Sequence, residues 1–338
     1  MRVAHVMAGA PAGGAELFFE RLSAAMHRAG DAVLPVVRRD ASREARLREA
    51  GLAPVALRFG GLLDVRTRPR LRDALRRFAP RVVVAWMNRA ARHAPQGDWV
   101  LAGRLGGYYD LRYYRRCTDL IGNTRGICDW ITAQGWAPGR VHHLPNFAPN
   151  LLGAAPATLP TPRSAPVVLA LGRLHRNKAF DILVRALPRL PGVHAVIAGE
   201  GPERGALSAL ARREGVADRL HLLGWRTDQA ALLAACDVLA CPSRHEPLGN
   251  VVLEAFSAAR PVVAADAAGP VELIAPGTGL LVPREDPHAL ADAIASLLDN
   301  PAEAFRTGWN GRACFERDHA EAPVLHRWRT ALAGWGHA

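Results

Sequence analysis

Short β-rich apolar runs alternate with stretches of helical period along most of this chain, and the alternation predicts parallel sheets with crossover helices. In the first half the runs cover residues 2–7, 33–37, 81–86, 99–105, 119–122 and 140–144, with an amphipathic helix expected over 15–28. In the second half strands are expected at 167–171, 194–198, 220–223, 238–241, 261–265 and 279–282. Helices are expected there at 180–190, 203–214, 228–235, 251–259, 271–274 and 287–298. Residues 154–162 have no apolar period and carry Pro156, Pro160 and Pro162, which reads as a linker. The expected architecture is therefore α/β, with two Rossmann-like, doubly wound domains at 1–153 and 166–300 joined by a linker at 154–165. Residues 301–338 are expected to be helical, lying beyond the second sheet, with a return toward the first domain open to them. Two such domains with a cleft between them would place ligands at the carboxyl ends of the strands.

Length agrees with two domains, since 338 residues exceed one usual core. The apolar runs are strand-length, far short of the ~20 residues that span a bilayer. Residues 1–7 read as a first strand rather than a signal peptide, and the five cysteines are scattered with no C-x-x-C pair. Both features point to reduced thiols in a cytosol and to no zinc site.

Charge changes the picture, because the net +12 is unevenly spread. Residues 1–150 hold 24 arginines against 12 acidic residues, whereas residues 151–338 hold 19 basic and 19 acidic residues. An anionic partner for the first half follows: a membrane surface, an acidic acceptor or nucleic acid. Solvated arginine-rich helix faces, as at 66–72, are the alternative reading. Lys178 is the only lysine, set among 42 arginines. A flexible point charge in place of a planar fork makes it a candidate for phosphate contact.

Four loops at expected strand ends of the second half hold the candidate chemistry. Gly172-Arg173 through Lys178 puts cations into a strand-to-helix turn, and Gly199-Glu200-Gly201-Pro202 removes side chains where something approaches the backbone. The third loop, from Arg244 through Glu254, sets Glu246 and Glu254 eight positions apart, one before a helix and one about a turn inside it. Between them Gly249, Asn250 and Val251 open the helix, where backbone N–H groups and the helix dipole make a seat for phosphate. The two glutamates can accept hydroxyl hydrogen bonds on opposite sides of a diphosphate. The fourth loop runs from Asp266 to Glu272 around Gly269.

Residues 166–299 resemble the donor-binding domain of retaining glycosyltransferase family 4, the group 1 glycosyl transferases of two-domain GT-B fold. The resemblance rests on G-R-x4-K at 172–178, G-x-G-P at 199–202, E-P-L-G-N-V-V-L-E-A at 246–255 and G-L-L-V-P at 279–283. Gly13-Gly14-Ala15-Glu16 after the first strand matches more weakly. The resemblance implies that Arg173 and Lys178 hold the diphosphate of a UDP- or GDP-sugar and that Glu246 binds hydroxyls of the donor sugar. It implies that Glu254 binds the ribose, that Gly172, Gly199, Gly201, Pro202, Gly249, Asn250 and Val251 line the nucleotide, and that Gly13 and Gly14 let the first domain close on the donor. No D-x-D occurs, so no metal is expected and the two cations would take its place. The implied activity is retaining transfer of a sugar to a surface glycan or lipid-linked acceptor, in cell-surface polysaccharide or lipopolysaccharide synthesis, from a cytoplasmic position peripheral to an anionic membrane.

One departure stands out. Family members commonly carry a histidine after the fourth strand of the first domain, and here Asn88 and Arg89 occupy that stretch, with His93 expected a turn or more into the next helix. All four tyrosines fall within 108–114, interleaved with Arg112. Tyrosines and arginines so placed suit sugar stacking, phosphate or a membrane interface, or else pack under a loop. Asn88, Arg89, Arg104, Tyr108 and Arg112 are the expected acceptor contacts. A sugar-nucleotide epimerase of the same fold is the alternative enzyme. A nucleic-acid-binding protein is disfavoured for want of any recognition motif, and an NAD-dependent dehydrogenase because Gly9-Ala10-Pro11-Ala12-Gly13-Gly14 lacks G-x-G-x-x-G spacing.

Overall fold

The computed structural model describes residues 1–11, 13–60 and 64–335. The chain divides into two compact units, one of Met1–Phe147 with the segment from Glu321 onward, the other of Ala148–Ala320.

The first unit is built on seven parallel strands: β1 (Arg2–Met7), β2 (Ala32–Arg38), β3 (Val55–Leu57), β4 (Val82–Trp86), β5 (Val100–Leu105), β6 (Asp119–Gly122) and β7 (Val141–His143). Their order is β3-β2-β1-β4-β5-β6-β7, so the winding reverses between β1 and β4. The crossover helices are α1 (Gly14–Arg28), α2 (Ala41–Glu49), α3 (Thr67–Phe78), α4 (Met87–His93) and α5 (Arg125–Ala133). Strand parity sorts the core. Val3, Met7, Val84 and Trp86 pack on one face with Phe18, Phe19 and Leu22 of α1. Ala4, Val6, Val83 and Ala85 pack on the other with Leu71 and Leu75 of α3 and Ile127 and Ile131 of α5.

The second unit repeats the plan with six parallel strands: β8 (Val167–Leu171), β9 (His194–Ala198), β10 (Leu220–Gly224), β11 (Val238–Cys241), β12 (Val262–Ala265) and β13 (Leu280–Val282). Their order is β10-β9-β8-β11-β12-β13, reversing between β8 and β11. Its helices are α6 (Phe180–Ala186), α7 (Arg204–Arg213), α8 (Gln229–Ala234), α9 (Asn250–Ser257), α10 (Ala268–Leu273), α11 (Pro287–Leu298) and α12 (Pro301–Cys314). The linker expected at 154–165 is docked on this unit: Ala157 N–H donates to the Ala231 carbonyl at 2.9 Å, and Leu159 packs on the core beside Leu232. Prolines removed the period there, yet Ala157 and Leu159 still pack, half-buried, against the core. The C-terminal helices also part company, α12 packing on α9 in the second unit while α13 (Glu321–Gly334) belongs to the first. On α13 a stripe of Val324, Trp328 and Leu332 is fully buried. The Trp328 ring stacks on Trp86 at 6.0 Å and its Nε1 donates to the Pro145 carbonyl at 3.0 Å. No described helix is long and apolar enough to cross a membrane.

His5 on β1 is fully buried, its Nδ1 accepting from Trp86 Nε1 at 3.1 Å, and burial lowers its pKa to about 3. The unfolded imidazole takes up a proton below about 6.5, and the folded one does so only near pH 3. Its contribution to stability is thus complete above pH 6.5 and falls by about 1.4 kcal/mol per pH unit as pH drops from there toward 3. Urea midpoints at pH 7 and pH 5 measure this, and His5→Phe should flatten the dependence whatever it does to the midpoint at pH 7.

Candidate active site

Strands β8 and β11 lie side by side where the winding of the second sheet reverses, so the loops leaving their carboxyl ends part to opposite faces and open a crevice. The loop after β8 is pressed against the loop after β9. Gly172 sits at φ +141°, and a Cβ there would meet the Lys178 stem at 3.2 Å. A Cβ on Gly199 would stand 1.8 Å from the Gly172 carbonyl oxygen, so only glycine allows the two strand ends to touch. Gly201 and Pro202 follow in the same turn, which is knitted back by Leu174 N–H to Glu200 O at 2.9 Å and Glu203 N–H to Leu174 O at 3.1 Å.

The approach delivers Lys178 to Glu246. One turn of 3-10 helix, Arg176–Lys178, is capped by His175, whose Nδ1 accepts from Asn177 N–H at 3.2 Å. From its end the Lys178 ammonium donates to Glu246 Oε2. The buried Glu246 carboxylate also accepts from Gly249 N–H at 3.2 Å through Oε1 and from Ser243 Oγ at 3.4 Å. Burial alone would push the Lys178 ammonium down. The Glu246 charge and hydrogen bond, helped by Glu254, overcome it and hold the ammonium above its usual range. Both carboxylates that bracket the helix start therefore act on one cation. Glu254 is buried on α9. That helix begins at Asn250 and Val251 behind Gly249, which sits at φ +92° with no side-chain cap. The fourth loop closes the group through Gly269 N–H to Glu246 O at 2.8 Å.

Arg244, which sequence reasoning saw only as the start of a loop, is the clamp. Its guanidinium makes a two-pronged bridge to Asp181 at 2.7 and 2.6 Å, donates to Arg176 O at 2.9 Å and pairs with Glu285. The hydrogen bond to Asp181, then that to Glu285, raises its pKa. An arginine that ties three segments is invisible to spacing because its partners are 63 and 41 positions away. Arg173 is exposed, and its guanidinium makes no hydrogen bond or ion pair to any described residue. Among the described residues no three His, Cys, Asp or Glu side chains are grouped to hold a metal.

In the first unit, Gly13 and Gly14 adjoin the turn after β1, of which Ala12 lies outside the described residues. The buried Glu16 carboxylate fills the space beside Gly9 and Gly13 and accepts from Ala10 N–H at 2.9 Å. Helix α4 starts directly at the end of β4, with Met87 in the left-handed region at φ +64° and Asn88 and Arg89 next to it. His93 ends that short helix, its ring against Phe59 at 5.6 Å, and burial lowers its pKa. Arg104 corrects an expectation. It shares a strand face with Ala102 and is 1% exposed, donating to Asn146 Oδ1 at 2.7 Å beneath the Trp86 ring, so no acceptor reaches it from solvent. Burial lowers its pKa to about 10. The tyrosines split by the same logic: Tyr114 is fully buried against Gly103, while Tyr108 is exposed with its ring edge on Trp130. Arg112 is exposed and held by Asp110 at 2.9 Å and the Tyr113 hydroxyl at 2.7 Å.

Residues 165–300 match the family model described as glycosyl transferases group 1. The lipopolysaccharide core biosynthesis glycosyltransferase LpsE of Rhizobium meliloti is 35% identical over 311 residues, spanning 88% of this chain and 89% of that protein. The chain belongs to the group 1 glycosyl transferases. Another relative, the lipopolysaccharide core biosynthesis glycosyltransferase LpsD of the same organism, is 33% identical over 330 residues, 96% of each chain. The crystal structure of Anabaena Alr3699/HepE in complex with UDP and glucose shares the fold, with a TM-score of 0.83 at 21% identity over 99% of this chain and 100% of that one.

In this glycosyltransferase the Lys178–Glu246 pair is partly sheltered, with side chains 24% and 11% exposed. Lys178→Ala strands a buried carboxylate and should destabilise the protein by about 3–5 kcal/mol. Lys178→Met with Glu246→Leu should recover much of that loss, and a double-mutant cycle in urea reads the coupling.

Proposed function

We propose that this glycosyltransferase takes its sugar from a nucleotide-diphosphate donor, UDP- or GDP-linked, and transfers it with retention to a glycan or lipid-linked acceptor of lipopolysaccharide core synthesis. The observation that supports the donor reading best is the meeting of Lys178, Glu246 and Glu254 at the reversal of the second sheet. In this reading Lys178 turns from its carboxylate partner to the diphosphate, and the exposed Arg173 adds a second cation. Glu246 is left to accept hydroxyls of the donor sugar, and Glu254 those of the ribose. The backbone at Gly249, Asn250 and Val251 meets phosphate. The names of the two relatives support the acceptor class, and the UDP complex of the structural neighbour supports a nucleotide donor.

During transfer the bond from the anomeric carbon to the diphosphate breaks with its electron pair going to the diphosphate, the bond to the acceptor oxygen forms, and the acceptor hydroxyl passes its proton to the departing diphosphate oxygen. Negative charge grows on the leaving oxygen, so preorganised cations stabilise the transition state more than the ground state. In this reading Arg173 and Lys178 supply that charge without a metal. Lys178→Ala should lower kcat about 10²–10³-fold, or ~2.7–4 kcal/mol. Unchanged turnover in the folded variant would refute the role. A thermal-shift panel of UDP- and GDP-sugars identifies the donor, since a ligand of the folded state raises the melting temperature by mass action.

The reading also rests the first unit on an anionic membrane at its cytoplasmic face. Arg70, Arg72, Arg76 and Arg77 are exposed on α3, whose buried side is Leu71, Ala74 and Leu75. Flotation with anionic vesicles should exceed flotation with neutral ones, and equal binding to both counts against it.

A further inference from the structure

We propose that the first unit selects an acidic acceptor, a glycan with phosphate or carboxylate groups on neighbouring sugars, through a trough of unpaired arginines; this rests on the acceptor reading above. Three cavities of about 330, 420 and 560 Å³ run outward from the ends of β1, β2 and β4. The first two share Arg38, Asn88 and Arg89, and the second and third share Arg92 and Tyr113, so each cavity adjoins the next. Among the described residues no aspartate or glutamate lines any of them.

The nearby acids are spent elsewhere. Asp64, whose charge reaches His93, accepts from Gly60 N–H and the Thr67 hydroxyl, each at 2.6 Å, and the Thr67 bond foremost lowers its pKa to about 2. Asp110 is held by Arg112 at 2.9 Å, and Glu16 accepts from the backbone of its own loop. Arg38, Arg89 and Arg92 are exposed and form no side-chain ion pair among the described residues. Arg68 and Arg116 each donate one N–H to the Arg92 carbonyl at the end of α4, at 3.1 and 3.3 Å. That bond caps the helix and leaves the other N–H groups of both forks to face the third cavity, beside Arg115.

Like charges gathered without a counter-charge repel one another, and a bound anion relieves the repulsion. The guanidinium fork matches the paired oxygens of phosphate and carboxylate. At the inner end, Asn88 Oδ1 is buried with no donor among the described residues, held there by the left-handed Met87. It is placed to accept from a sugar hydroxyl. A hydroxyl at Asn88, one acidic group at Arg38, Arg89 and Arg92, and a second at Arg68, Arg115 and Arg116 define the acceptor chemistry. The concavity suits a glycan chain better than a flat membrane surface.

The test uses the full chain and the core oligosaccharide released from lipopolysaccharide by mild acid, in four forms: native, dephosphorylated, carboxyl-reduced, and both. Titration calorimetry should show the native form binding and the doubly neutralised form losing about tenfold or more in affinity. The single treatments tell which acidic group is read. The double variant Arg38→Gln/Arg89→Gln should lose a similar factor for the native form, whereas Arg212→Gln/Arg213→Gln, an equal charge loss on exposed residues of the second unit, should not. Equal affinity for native and doubly neutralised forms, or no binding of the native form, overturns the proposal. Thermal shifts by UDP and GDP are recorded alongside. A shift with no acidic preference leaves the glycosyltransferase donor reading standing, and the absence of any shift removes that reading instead.

Discussion

A sheltered ammonium keeps its proton most readily with a carboxylate beside it, and in this protein that pairing joins two loops leaving adjacent strands. Lys178 and Glu246 are 68 positions apart in the chain and meet because β8 and β11 are neighbours in the sheet. Their meeting needs the bare backbone of Gly172 against Gly199, and Arg244 reaching Asp181 and Glu285 to hold the turn in place. Were the pair absent, the helix start at Gly249 and the glutamates on either side of it would have no common focus. The pair is also a poised arrangement. A carboxylate partner is what an anionic ligand can replace at least cost, because the ammonium never loses a negative neighbour.

The two sheets wind alike but treat charge in opposite ways. In the second unit cations and anions are nearly equal in number and largely answer one another, as Arg244 answers Asp181 and Lys178 answers Glu246. In the first unit the arginine excess has no internal answer, and the carboxylates nearest the strand ends are turned onto backbone N–H groups. A unit balanced within itself can grip and release one ligand at a defined point. A unit left positive along a trough presents a field over several sugar lengths, which suits a long charged chain. The division of charge therefore runs parallel to the division of labour proposed above between donor and acceptor.

Much of the fold was readable from periodicity. The strands at 2–7, 119–122, 167–171, 194–198 and 238–241 stand where the apolar runs stand, since a strand buried on both faces needs an unbroken run. β3 was missed because three residues at a sheet edge make no period. Its neighbours α2 and α3 are so rich in arginine that their apolar stripes, Leu47 in one and Leu71 with Leu75 in the other, are thin. The residues that meet around Lys178 could be picked out in the sequence because they sit in short local motifs. The first-unit expectations fared unevenly: Arg104 and Tyr114 look like surface chemistry in a list of residues, and only the parity of β5 and the packing against Gly103 turn them inward.

Local patterning was enough to establish two α/β halves, the family, the sole lysine with its bracketing glutamates, and the asymmetry of charge. All of these are properties of neighbours along the chain. Contacts between distant segments had to come from the folded molecule: that Lys178 lies on Glu246, that Arg244 ties three segments, that α13 returns to bury Trp328 on Trp86, and that the arginines after β2 and β4 adjoin one space. Such pairings follow from strand order and side-chain direction, and neither is written in the spacing of residues.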